Sequence, residues 1–374
     1  MKKIVVIAIS AALICIIFLV FISCDKNYEI AMITNGTKVK DGTFNQPIWE
    51  EIKDFAKENK VTYGSIQADG DSEEYLTEAI KQAVNNGAKV IVCPGESFET
   101  VIYNIQDTYP EIRFLLLDGE PNDKGAATPG KPVYKTSQNV HCIRYKEEQS
   151  GYLAGYAAVI SGYRNLGFVG GEQVNSIIRY GYGYIQGADS AASDLNLEPG
   201  TVTIKYWYAD TFSPDDSITE EISTWYSEGT EVVFSCGGEI IQSVISAAKN
   251  TEDGKIIGVD VDQSKLSDRI ITSAMKNLGT SIKTALTSLY ENNLAWNNER
   301  AGQTVTLGAS ADCVGLPTNN KAWKLTGWPV EEYENLYSMM KNGNVAVDNN
   351  SDPKIKPITK YVTVEYKEPQ ITIN

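Results

Sequence analysis

Buried strands and short helices alternate along this chain, and the alternation restarts once near its middle. Short apolar runs typical of buried strands are each followed by a segment whose apolar residues recur at helical spacing. The first series has strands at 30–33, 61–66, 90–93 and 113–117, and helices at 46–58, 72–86 and 98–107. The second has strands at 165–170, 202–208, 231–236, 256–259 and 270–274, and helices at 145–162, 181–193, 217–228 and 240–250. Such alternation predicts parallel sheets, so we expect two doubly wound α/β lobes with a cleft between them.

The chain is also long enough for two lobes, because 374 residues exceed what one hydrophobic core usually supports. A helix predicted at 278–292 and the segment 305–317 would return the chain to the first lobe, giving three crossings. A helix around 330–341 and a β-rich tail at 361–366 complete the sequence. The predicted lobes are residues 30–144 plus 278–317 for lobe one and residues 145–277 plus 318–374 for lobe two.

The N-terminus resembles a bacterial lipoprotein signal. Two lysines precede an uncharged apolar run at 4–22, and a serine followed by Cys24 stands where a cleavage site belongs. Residues 1–23 are therefore predicted to be the signal peptide, with Cys24 lipidated and 24–29 forming a tether. A single transmembrane anchor is the alternative, because the apolar run could nearly span a bilayer. Both interpretations place the remainder outside the cytoplasm, in the periplasm or at the cell surface.

The charge of the chain argues against two classes of partner. The full sequence has a net charge of −15, and removal of 1–23 takes away two lysines and no acid, which gives −17. A surface this acidic repels nucleic acid and anionic lipid, so neither is an expected partner.

Cysteine and histidine usage argues against a metal centre or a hydrolase. Beyond Cys24, the remaining cysteines are Cys93, Cys142, Cys236 and Cys313, and no two of them form a CxxC pair. We expect small buried residues there, although one disulfide stays open for an exported protein. His141 is the only histidine, which excludes histidine clusters, and no GxSxG elbow precedes a helix. No cofactor, metal or catalytic residue is predicted.

In a doubly wound fold, the loops that follow the strands converge on the cleft and can be read directly. From lobe one these are 35–45, 94–97 and 118–120, and from lobe two they are 170–172, 209–212, 237–239 and 260–263. They combine glycine or small residues, which let the backbone approach a ligand, with carboxylates, amides or aromatic rings. We therefore expect a small-molecule pocket between the lobes.

Four charged residues in or near these loops have two interpretations each. Asp118 ends an apolar run and could accept hydrogen bonds from a ligand or cap the next turn. Of Asp260 and Asp262, one is expected to face the cleft while the other caps or pairs with a lysine. A metal at that pair lacks a third ligand nearby. Lys276 could reach this group or be a solvated lysine.

Phe44 and Phe212 each lie in a polar loop, one in each lobe. Facing each other across a cleft, they would sandwich a flat ring, and stacking of a base on an aromatic ring contributes about 1–3 kcal/mol. Alternatively, each ring packs on its own helix. The residues alone leave both interpretations open.

Nine segments in register resemble the basic membrane protein family of substrate-binding lipoproteins of ABC transporters, which includes purine nucleoside receptors. The segments are DGTFNQPIWEEI at 41–52, LLLDGEP at 115–121, YKEEQSGYLAGYAA at 145–158, LGFVGG at 166–171, YADTFSPDDS at 208–217, VVFSCGGE at 232–239, IIGVDVDQ at 256–263, ITSAMKN at 271–277 and VTLGASADCVGLP at 305–317. They follow the family's order and cover nearly the whole mature chain.

The resemblance implies a type I periplasmic-binding-protein fold with a three-segment hinge. It also implies a set of ligand-binding residues, namely Asn35, Phe44, Asn45, Asp118, Phe212, Gly237, Asp260 and Lys276. Phe44 and Phe212 would sandwich the base, and Asp118 would accept a hydrogen bond from it. Asp260 and Lys276 would grip the ribose. Asn45 would contact base or ribose, and Gly237 would contribute its backbone.

The sequence departs from the family pattern in three places. Gly42 and Thr43 stand where members often carry an aspartate–lysine pattern before Ser-Phe-Asn. Arg179 precedes an aromatic, glycine-rich segment, and the tail after residue 345 extends beyond the match. These departures affect the identity of the ligand more than the fold.

These observations together predict a lipid-anchored, monomeric binding protein that closes on a nucleoside, with purines favoured, and delivers it to an ABC permease without catalysing a reaction. Riboflavin, another flat heterocycle or a sugar are alternative ligands. A nucleosidase, or a lipoprotein that senses nucleosides without transport, are alternative functions.

Overall fold

The computed structural model describes residues 27–128 and 130–367. The predicted signal peptide and Cys24 lie outside the described residues. Within the described part, no helix is both long and apolar enough to cross a membrane.

Lobe one is built on a six-stranded parallel sheet with the order β11-β5-β4-β3-β1-β2. Its strands are β1 Ile30–Thr34, β2 Tyr63–Gln67, β3 Val90–Pro94, β4 Arg113–Leu117, β5 Val140–Tyr145 and β11 Gln303–Leu307. Its helices are α1 Asn45–Asn59, α2 Glu73–Asn85, α3 Glu99–Ile105 and α8 Leu278–Glu291. β1 and β3 are buried throughout, as expected for central strands of a sheet covered on both faces.

Lobe two has a seven-stranded sheet with the order β12-β10-β9-β8-β6-β7-β13, parallel except for β12. Its strands are β6 Asn165–Gly170, β7 Val202–Tyr208, β8 Val232–Cys236, β9 Lys255–Asp260, β10 Ile270–Lys276, β12 Val314–Gly315 and β13 Val362–Tyr366. Its helices are α4 Glu147–Ile160, α5 Asn175–Asp194, α6 Asp216–Ser227, α7 Ile241–Lys249 and α9 Val330–Lys341. The predicted fold class, two doubly wound parallel-sheet lobes, is confirmed.

The chain crosses between the sheets after β5, after β10 and after β11. The predicted first lobe extended to residue 317, but the chain leaves lobe one earlier, because Val314 and Gly315 pair with β10 of the second sheet. β5 was absent from the predicted strands, and its last residue, Tyr145, pairs with Leu307 in lobe one. The first crossing therefore follows Tyr145, one residue beyond the predicted boundary.

Helices α4 and α5 pack more closely than ordinary helix pairs because glycines line their contact. A Cβ atom on Gly151 would lie 2.1 Å from the carbonyl oxygen of Tyr180, and one on Gly155 would lie 2.0 Å from that of Tyr184. α5 begins at Asn175, six residues before the predicted start at 181. This close pair fixes Glu147 on α4 beside Arg179 on α5, which matters for the site.

The expectation of buried cysteines is confirmed for the four described ones, Cys93, Cys142, Cys236 and Cys313. All four are free thiols, so the disulfide left open by the sequence is not formed among them. They belong to the packed interior of the two lobes.

Candidate functional site: a cavity between the lobes

A cavity of about 800 Å³ lies between the lobes and is lined by loops that follow strands of both sheets. All eight residues expected at a ligand site line it, namely Asn35, Phe44, Asn45, Asp118, Phe212, Gly237, Asp260 and Lys276. Tertiary structure thus brings these residues to one place, and their contacts with a ligand remain a prediction. The volume falls within the range of small-molecule pockets.

The wall from lobe one is the loop before α1, held in shape by Asp41. Its carboxylate accepts hydrogen bonds from the backbone N–H groups of Thr43 and Asn45, each at 2.9 Å. Phe44 lies between these two anchored residues and faces the cavity. The side-chain Nδ2 of Asn45 donates to Thr37 Oγ1 at 2.8 Å, so this amide already braces the loop. The loop therefore presents the Phe44 ring on a rigid frame.

The wall from lobe two carries Phe212, which packs against three glycines. A Cβ atom at Gly171 would lie 2.5 Å from the Phe212 ring, and one at Gly237 would lie 3.2 Å from it. Gly237 also has a φ of +147°, which side chains rarely adopt. Glycine is required here because one part of the ring lies directly on the backbone. The ring also lines the cavity, so packing within its own lobe and facing a ligand are compatible.

A buried charged cluster forms the floor of the cavity. Lys276 Nζ lies 2.5 Å from Asp118 Oδ2, 3.2 Å from Glu147 Oε1 and 3.6 Å from Asp260 Oδ1. Glu147 Oε2 also accepts a hydrogen bond of 2.7 Å from Arg179 Nε. All five side chains are less than a tenth exposed. Lys276 lies nearer to Asp118 of the opposite lobe than to Asp260, its expected partner on the ribose.

The cluster holds three carboxylates against two cations, and this imbalance sets its protonation. Burial raises the pKa of Asp118 to about 7, since the nearby Glu147 and Asp260 oppose the attraction of Lys276. Burial alone would raise the pKa of Glu147, but Arg179 and Lys276 hold it below its ordinary value. Burial alone would lower the pKa of Lys276, and the three carboxylates instead raise it. The lysine therefore stays charged, and burial raises the pKa of Asp260 as well as that of Asp118.

Asp118 has one carboxylate oxygen that is buried and unpaired among the described residues. Its Oδ2 pairs with Lys276, whereas its Oδ1 is buried and has no hydrogen-bond partner in the described part of the chain. An unpaired buried acceptor is costly, so a ligand donor at this point would be stabilised. Asp118 also has a φ of +57°, which turns the chain sharply out of β4.

Asp262 does not share this site. It accepts the backbone N–H of Ser264 at 3.0 Å and the side-chain amide of Asn319 at 3.0 Å. It therefore has the capping role expected for one member of the pair, while Asp260 faces the cleft. No group of acids, cysteines or histidines in the described residues is arranged to hold a metal.

His141 lies in β5 rather than at the cavity. Its Nδ1 donates to the carbonyl of Gln303 at 3.1 Å, and burial lowers its pKa to about 4. It is a neutral core residue beside Trp296 and is not among the residues that line the cavity.

Three functional residues, Glu147, Arg179 and Glu96, were not predicted as site residues from the sequence. Glu147 appeared only within a family segment, and Arg179 only as a departure from the family, yet together they support Lys276. Glu96 belonged to a candidate loop but was not singled out, and its carboxylate contacts Ser176 of lobe two. The sequence signal that points to Glu147 is its place at the start of a predicted helix with small residues on one face.

The lining of the cavity is strongly acidic. Ten carboxylates and two lysines line it. This excess of negative charge disfavours phosphorylated or otherwise anionic ligands and leaves neutral or cationic ones.

Two α/β lobes joined by three crossings around a polar cavity define the class of type I periplasmic-binding-protein folds. Solved structures share this fold. A solute-binding protein of an ABC transporter system from Aeropyrum pernix K1 aligns with a TM-score of 0.70 at 18% identity, covering 87% of this chain and 94% of that one. A comparable protein from Conexibacter woesei aligns with a TM-score of 0.62 at 17% identity, covering 86% and 99%.

Sequence comparison gives the family. The model for the Bmp family, described as "ABC transporter substrate-binding protein PnrA-like", matches residues 28–350, and the chain belongs to this family. A relative named "ABC transporter nucleoside-binding protein BmpA", from Lactococcus lactis subsp. cremoris, is 28% identical over 68% of this chain and 73% of its own. "Basic membrane protein B" from Borreliella burgdorferi is 28% identical over 80% and 83%. The predicted family is thereby confirmed, and the chain is an ABC transporter substrate-binding protein.

Proposed function

We propose that this protein binds a nucleoside, with purines favoured, between its lobes and delivers it to an ABC permease outside the cytoplasm. The observation that carries the proposal is the placement of Phe44 and Phe212, one from each lobe, on a single cavity whose floor is the cluster of Asp118, Asp260 and Lys276. A nucleoside consists of a flat heterocycle and a polyol. The two aromatic rings suit the heterocycle, and the charged cluster suits the hydroxyl groups of the polyol.

In this proposal the two phenylalanine rings stack on the base. Stacking of one base on an aromatic ring contributes about 1–3 kcal/mol. Asp118 Oδ1 accepts a hydrogen bond from the base, and Asp260 and Lys276 hold the ribose hydroxyls. These groups come from both lobes, so ligand contacts favour the closed arrangement over the open one.

Three other residues complete the proposed site. Asn35 and Asn45 contribute polar contacts from the first loop, where Asn35 Oδ1 already accepts a hydrogen bond from Thr37 at 3.0 Å. Gly237 offers its backbone, and a Cβ atom there would lie 2.9 Å from the backbone nitrogen of Gly171. The acidic lining supports the nucleoside over its phosphorylated forms.

The relative from L. lactis that is named as nucleoside-binding supports this ligand class. Lipidation at Cys24 would keep the protein beside its permease, and the two lobes form a complete site within one chain, which supports a monomer. Binding and release are the whole function in this proposal, with no reaction catalysed.

The proposal is tested by thermal unfolding of residues 25–374 with nucleosides, free bases, riboflavin and sugars. A ligand at 100 times its dissociation constant adds about 2.7 kcal/mol to the free energy of unfolding. We expect a purine nucleoside to raise the melting temperature, and Phe44→Ala to reduce this shift. Tyr75→Ala removes a half-exposed aromatic ring that does not line the cavity and should keep the shift.

Three results would contradict the proposal. A shift only with riboflavin or with a sugar would leave the fold in place and refute the ligand. Release of free base from a nucleoside would show a nucleosidase. Equal shifts in Phe44→Ala and the unmodified protein would refute the stacking role.

A further inference from the structure

A side chain of lobe one contacts the first turn of a helix in lobe two. Glu96 follows β3, and its Oε1 accepts a hydrogen bond of 3.2 Å from the backbone N–H of Ser176. Its Oε2 accepts another of 3.2 Å from the side-chain amide of Asn175. Both donors stand at the N-terminus of α5. One carboxylate thus joins the two lobes beside the cavity.

Helix α5 has no cap of its own to replace this contact. Val174 precedes it, valine cannot accept a hydrogen bond through its side chain, and the first turn contains no acid. The first N–H groups of a helix lack partners within it and carry the positive end of the helix dipole. A carboxylate is therefore the group that this terminus favours, and lobe one supplies it.

The corresponding loop of lobe two shows that the contact is specific to Glu96. Both loops place a glutamate in a short 3-10 turn after a central strand, in the sequences CPGE at 93–96 and CGGE at 236–239. The carboxylate of Glu239 makes no hydrogen bond or ion pair with any described residue. Two similar loops therefore differ in whether their glutamate reaches the other lobe.

We propose that Glu96 is a positioning residue that stabilises the closed arrangement of the lobes by capping α5 from the opposite lobe, and so slows the release of a bound ligand. Opening the cleft would break both hydrogen bonds and leave the first turn of α5 uncapped, so the contact favours only the closed state. This role goes beyond the proposed function and does not depend on which small molecule occupies the cavity.

The first test needs no ligand. Hydrogen exchange of the full chain, with fragmentation to resolve the Ser176 amide, is compared between the unmodified protein and Glu96→Ala. Exchange should become about tenfold faster, the factor expected when a helix cap is lost. The matched variant Glu239→Ala should leave Ser176 unchanged. Unchanged exchange in Glu96→Ala would overturn the proposal.

A second variant, Asn175→Ala, shows whether the contact stabilises closure of the lobes or only protects the Ser176 amide through one local hydrogen bond. Asn175→Ala keeps both Glu96 and the Ser176 amide, so a purely local hydrogen bond would stay protected. If the contact stabilises closure, the Ser176 amide exchanges faster in this variant too. Protection equal to that of the unmodified protein would show that the lobes do not depend on this contact.

Release of guanosine gives the functional readout. Dissociation should be several-fold to about tenfold faster in Glu96→Ala, and the effects of Glu96→Ala and Asn175→Ala should not add in the double variant. Dissociation as slow in Glu96→Ala as in the unmodified protein would refute the effect on residence time. Failure of the unmodified protein to bind guanosine would instead count against the proposed nucleoside, and exchange at Ser176 would still decide the role of Glu96.

Discussion

Two neighbouring glutamates on α4 offer a sharp test of the buried charges, because the same substitution should have opposite consequences. Glu147→Gln removes the carboxylate that pairs with Arg179 at 2.7 Å and contacts Lys276 at 3.2 Å. Arg179 is only 7% exposed in its side chain, and Glu147 is its only ion-pair partner in the described part of the chain. Glutamine therefore leaves a buried guanidinium without a countercharge.

The magnitude follows from the environment of the pair. Removing one partner of a buried ion pair typically costs about 3–5 kcal/mol. Here the loss also relieves repulsion, because three carboxylates around two cations become two around two. We therefore expect the lower end, a fall of about 3 kcal/mol in the free energy of unfolding.

The control is Glu148→Gln. Glu148 is 3% exposed, and its Oε2 is buried without a hydrogen-bond partner among the described residues. Burial and the adjacent Glu147 raise its pKa to about 7, so ionised Glu148 is unfavourable in the fold. At pH 8, neutral glutamine should change the free energy of unfolding by less than about 1 kcal/mol, or increase it.

The assay is equilibrium unfolding in urea at pH 8, followed by tryptophan fluorescence. The double variant Glu147→Gln/Arg179→Met should be more stable than the sum of its single effects predicts, because it leaves no unpaired charge. Equal destabilisation by Glu147→Gln and Glu148→Gln, or a cost below about 1 kcal/mol for Glu147→Gln, would refute the conclusion that buried Arg179 depends on the charge of Glu147.

Two further predictions concern the core. Burial lowers the pKa of His141 to about 4 from an ordinary 6.5, so its contribution to stability is complete above pH 6.5 and is lost as the pH falls towards 4. Relative to His141→Asn, the unmodified protein should lose about 3 kcal/mol across that window in urea titrations, and parallel curves would contradict a buried neutral imidazole. Gly151→Ala should lower stability by about 1–3 kcal/mol, since its Cβ would lie 2.1 Å from the carbonyl of Tyr180. At Gly279 on α8 the nearest atom would be 3.4 Å away, so Gly279→Ala should stabilise by about 0.5–1 kcal/mol, and a loss at both sites would argue against the close packing of α4 and α5.

Much of the site could be predicted because it depends on local pattern. A buried strand followed by a helix places the intervening loop at the carboxyl edge of the sheet, wherever that unit lies in the fold. Reading those loops marked Asp118, Asp260 and both phenylalanines as candidates, each with a structural alternative. The family resemblance supplied the selection of Lys276, which the residues alone would have left as a surface lysine.

The edge strands of the sheets and the points where the chain crosses between lobes were harder to predict, because both depend on pairing with strands far away in the sequence. β5 is held by β4 and by β11, which lies far along the chain. The segment at 305–317 looked like one return to lobe one, yet it divides between two sheets at Leu307 and Val314. No local pattern marks that division, because pairing with β10 decides it.

The sequence by itself determined the two alternating series of strands and helices and the loops that follow the strands. Both can be predicted because hydrophobic periodicity and the ends of strands depend on neighbouring residues in the chain. Tertiary structure decided which charges meet. Asp118 and Lys276 are 158 positions apart, and Glu96 and Asn175 are 79 apart. These contacts exist because the two lobes face each other across the cavity. A hydrogen bond or a close ion pair forms only when its atoms come within a few ångströms of each other, so the tertiary structure decides which of these residues interact.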